Sequence, residues 1–255
     1  MNDYEKISNY LKHFLQEEVT KTGLKKVVLG LSGGLDSAVV ATLAQEVFGK
    51  NLLAVMMPSQ YSSQNSLDDA KILCDDFDIR TITLSIEPML KAYEEMHPDM
   101  DNLRRGNISS RLRMATLFDI SAKENALVLG TTNKSELLLG YGTIFGDLAS
   151  AFNPIGDLYK SEIYELAAYL GVTQSIIDKK PSADLWAGQN DEDDLGYSYK
   201  ELDSALLLYI DKNLSKEEIL NLGIDLDMLD MIIKRVEQNK FKRKMPLIAM
   251  VERKL

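Results

Sequence analysis

Apolar residues gather into short runs in the first half of the chain: Val27 to Leu31, Leu52 to Met57, Arg80 to Leu84 and Ala126 to Gly130. Such compact, mostly apolar segments predict strands buried on both faces. Between them, Ser37 to Phe48, Ser66 to Phe77 and Ile108 to Glu124 carry apolar residues at helical spacing. The β-α-β-α order predicts an α/β fold, a doubly wound parallel sheet with ligands outside the carboxyl ends of its strands. Met1 to Leu24 reads as an amphipathic helix, with Ile7, Leu11, Phe14, Leu15 and Val19 on one side. After Lys160 the pattern turns helical, over Ser161 to Leu170, Lys200 to Leu208 and Asp225 to Lys240, with a polar stretch from Pro181 to Tyr197. The expectation is one domain over residues 1–255, with an α/β core over about 24–175 and a helical C-terminal portion over about 198–255.

Where the first strand passes into the first core helix, the chain reads Gly30-Leu31-Ser32-Gly33-Gly34-Leu35-Asp36-Ser37. Glycines at a strand-to-helix turn leave backbone N–H groups uncovered, and the helix that follows points its positive end at any anion held there. The turn is a candidate phosphate cradle. A Walker A loop would supply a lysine at its end; this chain has Asp36 near that place instead. A carboxylate beside phosphates repels them unless a divalent cation lies between, so Mg²⁺ is the expected partner of Asp36. The plainer reading of Asp36 is an acid in the first turn of a helix, where acids are favoured.

Composition narrows the function classes. With 255 residues, 45% of them hydrophobic, the chain can bury a sizeable core. A net charge of −10 argues against a protein that tracks a nucleic-acid backbone, since only Lys240 to Lys244 forms a basic cluster. The chain has no apolar run long enough to span a membrane and no secretory leader pattern, so a cytoplasmic protein is expected. The single cysteine, Cys74, lies beside Leu73 and Phe77 and is expected in the core rather than as a reactive thiol. His13 and His97 fall outside every motif and are expected at the surface.

The run S-G-G-x-D-S resembles the fingerprint of the N-type ATP pyrophosphatases, which split ATP between its α- and β-phosphates to activate a carbonyl or carboxyl oxygen. Downstream lie Gly130 to Glu136 (GTTNKSE), Gly140 to Asp147 (GYGTIFGD), Asn153-Pro154-Ile155, Leu158-Tyr159-Lys160 and Pro181 to Leu185 (PSADL). In this order they resemble the NAD synthetase family over almost the entire chain. The resemblance implies an ammonia-dependent amidation of nicotinic acid adenine dinucleotide (deamido-NAD) through an adenylate, with ATP as co-substrate, Mg²⁺ as cofactor and AMP and pyrophosphate as products.

Carried over residue by residue, the resemblance gives Gly30 to Ser37, Thr131, Lys160 and Ser182 to ATP, and Asp36 with Glu136 to the metal. Lys160 would replace the missing Walker lysine, and Asp147 is retained for ammonium or metal. Arg111 is the expected deamido-NAD reader; Arg113 is the alternative, because two arginines spaced by one residue cannot share a helical face. Left to itself, Arg113 reads as a surface partner of Asp119 or Glu124, and the acidic run Asp191 to Asp194 as the solvated face of a loop over the site. The chain departs from better-known members at Ile144, where many carry lysine, at Ala151, in place of an aspartate, and at Phe241-Lys242, where His-Lys is usual. Lys242 is therefore kept only as a substrate-binding candidate, and the dinucleotide pocket is expected to be rebuilt. The chain also has no room for the amidase domain of glutamine-dependent relatives, which points to free ammonia. A homodimer is implied as well. The competing readings are another ATP-pyrophosphatase amidotransferase or tRNA-thiolation enzyme, and a nucleotide-sensing module without chemistry.

Overall fold

The apolar runs of the first half form four parallel strands. In the computed structural model, which describes residues 3–182, 190–246 and 248–251, the chain begins with α1 (Asp3–Lys21), β1 (Lys26–Gly30), α2 (Leu35–Phe48), β2 (Leu52–Met56) and α3 (Gln64–Asp76). It continues through β3 (Thr81–Thr83), α4 (Glu87–Met96), α5 (Asn102–Glu124), β4 (Ala126–Leu129), α6 (Lys134–Leu139), α7 (Lys160–Leu170) and α8 (Gln174–Ile177). The last helices are α9 (Asp191–Leu195), α10 (Tyr199–Leu206), α11 (Lys216–Asn221) and α12 (Leu226–Gln238), with a π-helical turn over Leu207–Asp211.

The strand order is β3-β2-β1-β4, every neighbouring pair being parallel. The chain therefore steps outward from β1 to β3 and then returns to the other side of β1 for β4. At that reversal the connections leaving β1 and β4 part, and a crevice opens between the two carboxyl ends. The glycine turn follows β1 and Gly130-Thr131-Thr132 follows β4, so both loops border the crevice.

Side chains alternate between the faces of a strand, and both faces of β1, β2 and β4 are covered, whereas the edge strand β3, expected to be buried, exposes Thr81 and Thr83. Val27, Leu29, Leu52, Ala54 and Met56 pack with residues of α1, α2 and α7. Val28, Leu53 and Val55 pack on the other face with Ile86 and Ile120. This explains why β1, β2 and β4 read as continuous apolar runs, while Thr81-Ile82-Thr83 of β3 alternates. Helix α2 is buried without interruption from Ala38 to Ala44, because α1 and α7 cover the side that the sheet does not.

The C-terminal helices leave the sheet and form their own apolar cluster, in which Leu202, Ala205, Leu206, Met228 and Ile232 meet Leu138, Leu139 and Tyr159. They rest on α6 and α7. Cys74 is buried, and burial pushes its thiol pKa up; His13 and His97 are exposed. Among the described residues no helix is long and apolar enough to cross a membrane.

Ile163 lies fully buried three residues after Lys160 and anchors α7 to the sheet-side core. Ile163→Ala should lower unfolding free energy by about 2–5 kcal/mol, read from urea denaturation followed by circular dichroism.

Candidate active site

The cradle is built by backbone constraints. Leu31 N–H still donates to the Val55 carbonyl at 3.0 Å, as if β1 continued, and the chain then turns at Gly33 with φ +77°. A Cβ at Gly33 would lie 1.9 Å from the Ser66 carbonyl oxygen, so only glycine fits. Gly34 is the N-cap of α2 and supplies no side-chain cap, which leaves the positive helix end toward the crevice. The Ser32 and Ser37 hydroxyls are 3.0 Å apart, and Ser37 also donates to the Gly34 carbonyl.

Opposite the cradle, the elements after β4 place a buried charge cluster. Lys160, at the start of α7 and only 3% exposed, pairs with Asp36, and its Nζ lies 3.7 Å from Glu136 Oε1. Asn133, fully buried, ties the two carboxylates together: its Oδ1 accepts from Glu136 N–H at 3.0 Å, and its Nδ2 donates to Asp36 Oδ1 at 2.9 Å. Glu136 returns the bond, its Oε2 accepting from Asn133 N–H at 3.2 Å, which closes a capping box at the start of α6. Burial alone would strip the charge from Lys160, but Asp36 and Glu136 beside it outweigh burial and hold its pKa above the usual lysine range. Burial and the neighbouring Asp36 also push the Glu136 pKa up, well above the usual carboxylate range.

Both constructions open on one cavity of about 850 Å³. Gly30, Leu31, Ser32, Gly34, Leu35, Asp36 and Ser37 line it from the cradle side. Thr131, Glu136, Asp147, Lys160, Ser182 and Lys242 line it from the other elements. Gly33 sits behind the lining, held by its close approach to Ser66. Of the segment that carries Ser182, Ala183 to Gln189, which includes Asp184 and Leu185, lies outside the described residues.

Several sequence expectations are redrawn by the structure. Arg111 does not line the cavity, and its Nη2 donates to the Ile144 carbonyl at 3.3 Å. Arg113 does line it and pairs with neither Asp119 nor Glu124; its Nε donates to the Met57 carbonyl at 3.1 Å. Glu124 is taken instead by Arg80 and Lys26. The acidic run is helical rather than loop, since Asp191 to Asp194 belong to α9; Asp193 and Asp194 are exposed as expected, but Asp191 is buried at 4% exposure. The Tyr141 hydroxyl lies 3.0 Å from Asp191 Oδ1 and 2.8 Å from Asp194 Oδ2, and all three residues line the cavity.

Asp147 accepts from the Ser110 hydroxyl at 2.5 Å and from Thr143 N–H at 2.9 Å. Lys242 donates to the Gly140 and Gly142 carbonyls at 2.7 and 2.9 Å, and burial lowers its pKa. The three departures stand apart: Ala151 and Phe241 are exposed, and neither they nor Ile144 line the cavity.

Lys179 has a place in the cradle that no motif announced. Its Nζ donates to the Gly33 carbonyl at 3.0 Å and pairs with Asp69 on α3, which also accepts from the Ser175 hydroxyl at 2.8 Å. Its only signal was proximity to Pro181-Ser182. Asn133 could have been found from its N-cap position before Glu136, since Asn-x-x-Glu is a capping-box spacing.

A parallel α/β sheet with an uncapped helix end and a buried lysine at its switch point is the architecture of α/β proteins that hold anionic ligands at the strand ends. The chain belongs to the NAD synthase family, whose model matches residues 7–246. It is 52% identical over 247 residues to an NH(3)-dependent NAD(+) synthetase of Wolinella succinogenes, covering 97% of this chain and 96% of that one. Among solved structures, an NH3-dependent NAD synthetase from Campylobacter jejuni, in complex with the nitrate ion, superposes with a TM-score of 0.83 at 41% identity, covering 98% of this chain and 100% of that one. An NMN synthetase from Francisella tularensis superposes with a TM-score of 0.86 at 33% identity, covering 96% and 98%.

Gly33→Ala should force the cradle away from Ser66 and weaken ATP binding at least tenfold, as measured by isothermal titration calorimetry; unchanged affinity would show that the turn does not hold phosphate. Glu136 carries the opposite kind of prediction. Its raised pKa means that the folded chain binds more protons than the unfolded one above pH 4.5, the ordinary glutamate value, so stability falls as pH rises through the folded pKa. Glu136→Gln should therefore raise the melting temperature of the ligand-free protein at pH 8, with the gain vanishing below pH 4.5, in scanning calorimetry across pH.

Proposed function

We propose that the chain joins ammonia to the nicotinate carboxylate of deamido-NAD at the expense of ATP, giving NAD, AMP and pyrophosphate. Membership of the NAD synthase family over residues 7–246 carries this reading. The buried Lys160 facing an uncapped cradle across one cavity supports the phosphate chemistry. A carboxylate oxygen is a poor leaving group, and transfer of AMP to it makes a good one. In the proposed sequence the carboxylate attacks the α-phosphorus, the bond to the β-phosphate oxygen breaks, and pyrophosphate departs into the cradle. Ammonia then adds to the acyl-adenylate, loses a proton and displaces AMP.

Negative charge builds on phosphate oxygens in the first step, and groups aimed at it stabilise the transition state. The α2 N-terminus, the Ser32 and Ser37 hydroxyls, Thr131, Ser182 and Lys160 are the residues we assign to that task. Lys160 suits it because its neighbours keep it charged despite burial. Asp147, fixed by Ser110 and Thr143, is assigned to the incoming ammonium.

Asp36 and Glu136 would hold magnesium, since both carboxylates already reach a single cation, the Lys160 ammonium. Among the described residues no group of three or more His, Cys, Asp or Glu side chains could hold a metal, so phosphate oxygens and water would complete the shell. Held by Asp36 and Glu136, magnesium would supply charge neutralisation at the phosphates.

We further propose a homodimer. Leu103 and Phe118 of α5 and the nearby Phe145 expose large apolar side chains, and Arg111, outside the cavity lining, would meet the dinucleotide near that interface. Lys242 and Arg113 would meet it from within the cavity.

Purified protein given ATP, Mg²⁺, ammonium and deamido-NAD should release NAD, AMP and pyrophosphate in equal amounts, and Asp36→Ala should lower kcat by on the order of 10²–10³. ADP in place of AMP would overturn the adenylate route. Formation of NMN from a mononucleotide in preference to NAD would instead align the chain with the NMN synthetase of Francisella tularensis.

A further inference from the structure

Asp203 is a buried carboxylate, 4% exposed, that has no part in the chemistry just described. It lies on α10, in the helical portion that packs against α6 and α7 and not on the sheet. Burying a carboxylate is costly unless its oxygens are satisfied, and both oxygens are. Oδ1 accepts from the Ser135 hydroxyl at 2.5 Å, and Oδ2 accepts from Ser161 N–H at 2.8 Å.

Those partners flank the site residues. Ser135 precedes Glu136 on α6, and its fully buried Oγ accepts from Lys160 N–H at 2.9 Å while donating to Asp203. Ser161 follows Lys160, so the first two N–H groups of α7 are both consumed by this relay. The negative charge of Asp203 at the α7 N-terminus also suits the helix dipole. Burial raises the Asp203 pKa, and the bonds from Ser135 and Ser161 and the charge of Lys160 oppose that rise.

We propose that Asp203 is a positioning residue which, through Ser135 and the start of α7, sets where the Lys160 and Glu136 side chains meet the phosphates of ATP. No other described hydrogen bond runs directly from the C-terminal helices to the backbone at Lys160 or Ser161. The inference rests on the assignment of Lys160 and Glu136 to ATP made above. It goes further in giving the C-terminal helices a role in the phosphate chemistry, although no Asp203 atom touches substrate.

The test compares wild type, Ser135→Ala, Asp203→Asn and the double variant. ATP affinity is measured by calorimetry with Mg²⁺, and steady-state kinetics are run with ATP and deamido-NAD varied separately. Loss of a residue that orients a ligand typically costs 10–100-fold. Each single variant should weaken ATP binding and lower kcat/KM for ATP by about that factor, while KM for deamido-NAD stays at the wild-type value. The double variant should be no worse than the more damaged single one, because both belong to one relay. Wild-type ATP affinity in Ser135→Ala, or equal weakening toward both substrates, would overturn the proposal. If Asp203→Asn does not fold, Ser135→Ala, which removes one hydroxyl, decides alone. A wild type that binds ATP but makes no NAD would overturn the proposed reaction, and the ATP affinities of the variants would still decide the positioning role.

Discussion

An ammonium buried to 3% exposure cannot stand without opposite charge beside it, and the placing of Lys160 between Asp36 and Glu136 answers that demand. The dependence runs both ways. Without the lysine, two carboxylates tied to the same Asn133 would repel each other in a poorly hydrated pocket. Asp36 rides on α2, Glu136 on α6 and Lys160 on α7, so this one cluster fixes three elements that meet at the sheet's switch point. The cradle inherits its position from the same α2 turn.

Overall charge and local charge tell different stories in this chain. The net charge is −10, yet the cavity that would hold a polyanion is lined by Lys160, Lys179, Lys242 and Arg113 and faced by a helix N-terminus. Acids also enter the cavity, but they are occupied: Asp147 by Ser110 and Thr143, Asp191 and Asp194 near the Tyr141 hydroxyl. A protein can be acidic as a whole and still bind phosphates, because attraction at contact distance outweighs a diffuse field screened beyond about 10 Å.

Much of the sheet was legible in the sequence because a strand buried on both faces leaves a compact apolar run, and the observed strand ends fall close to the expected ones. The glycine turn was legible too, since its backbone geometry restricts the residue types allowed. Elements held by distant partners were not. Asp191 looks solvated until Tyr141, 50 residues away, is brought against it. The Lys179 link to Gly33 spans 146 positions and the Ser135 link to Asp203 spans 68. Neither leaves a local pattern. Which of Arg111 and Arg113 faces the cavity depends on rotation about α5, and it is Arg113 that lines it.

The bonds that join Asp36 to the rest of the site reach 97 positions along the chain to Asn133 and 124 to Lys160. Contacts this remote cannot form until the intervening segment has been made and folded. During synthesis, then, the glycine turn and its helix emerge long before their counter-charge. Until then Asp36 has neither its ammonium nor its amide partner, and the cluster that joins α2, α6 and α7 is incomplete. The charge cluster is thus a late, long-range contact, closed only when α7 packs against α2.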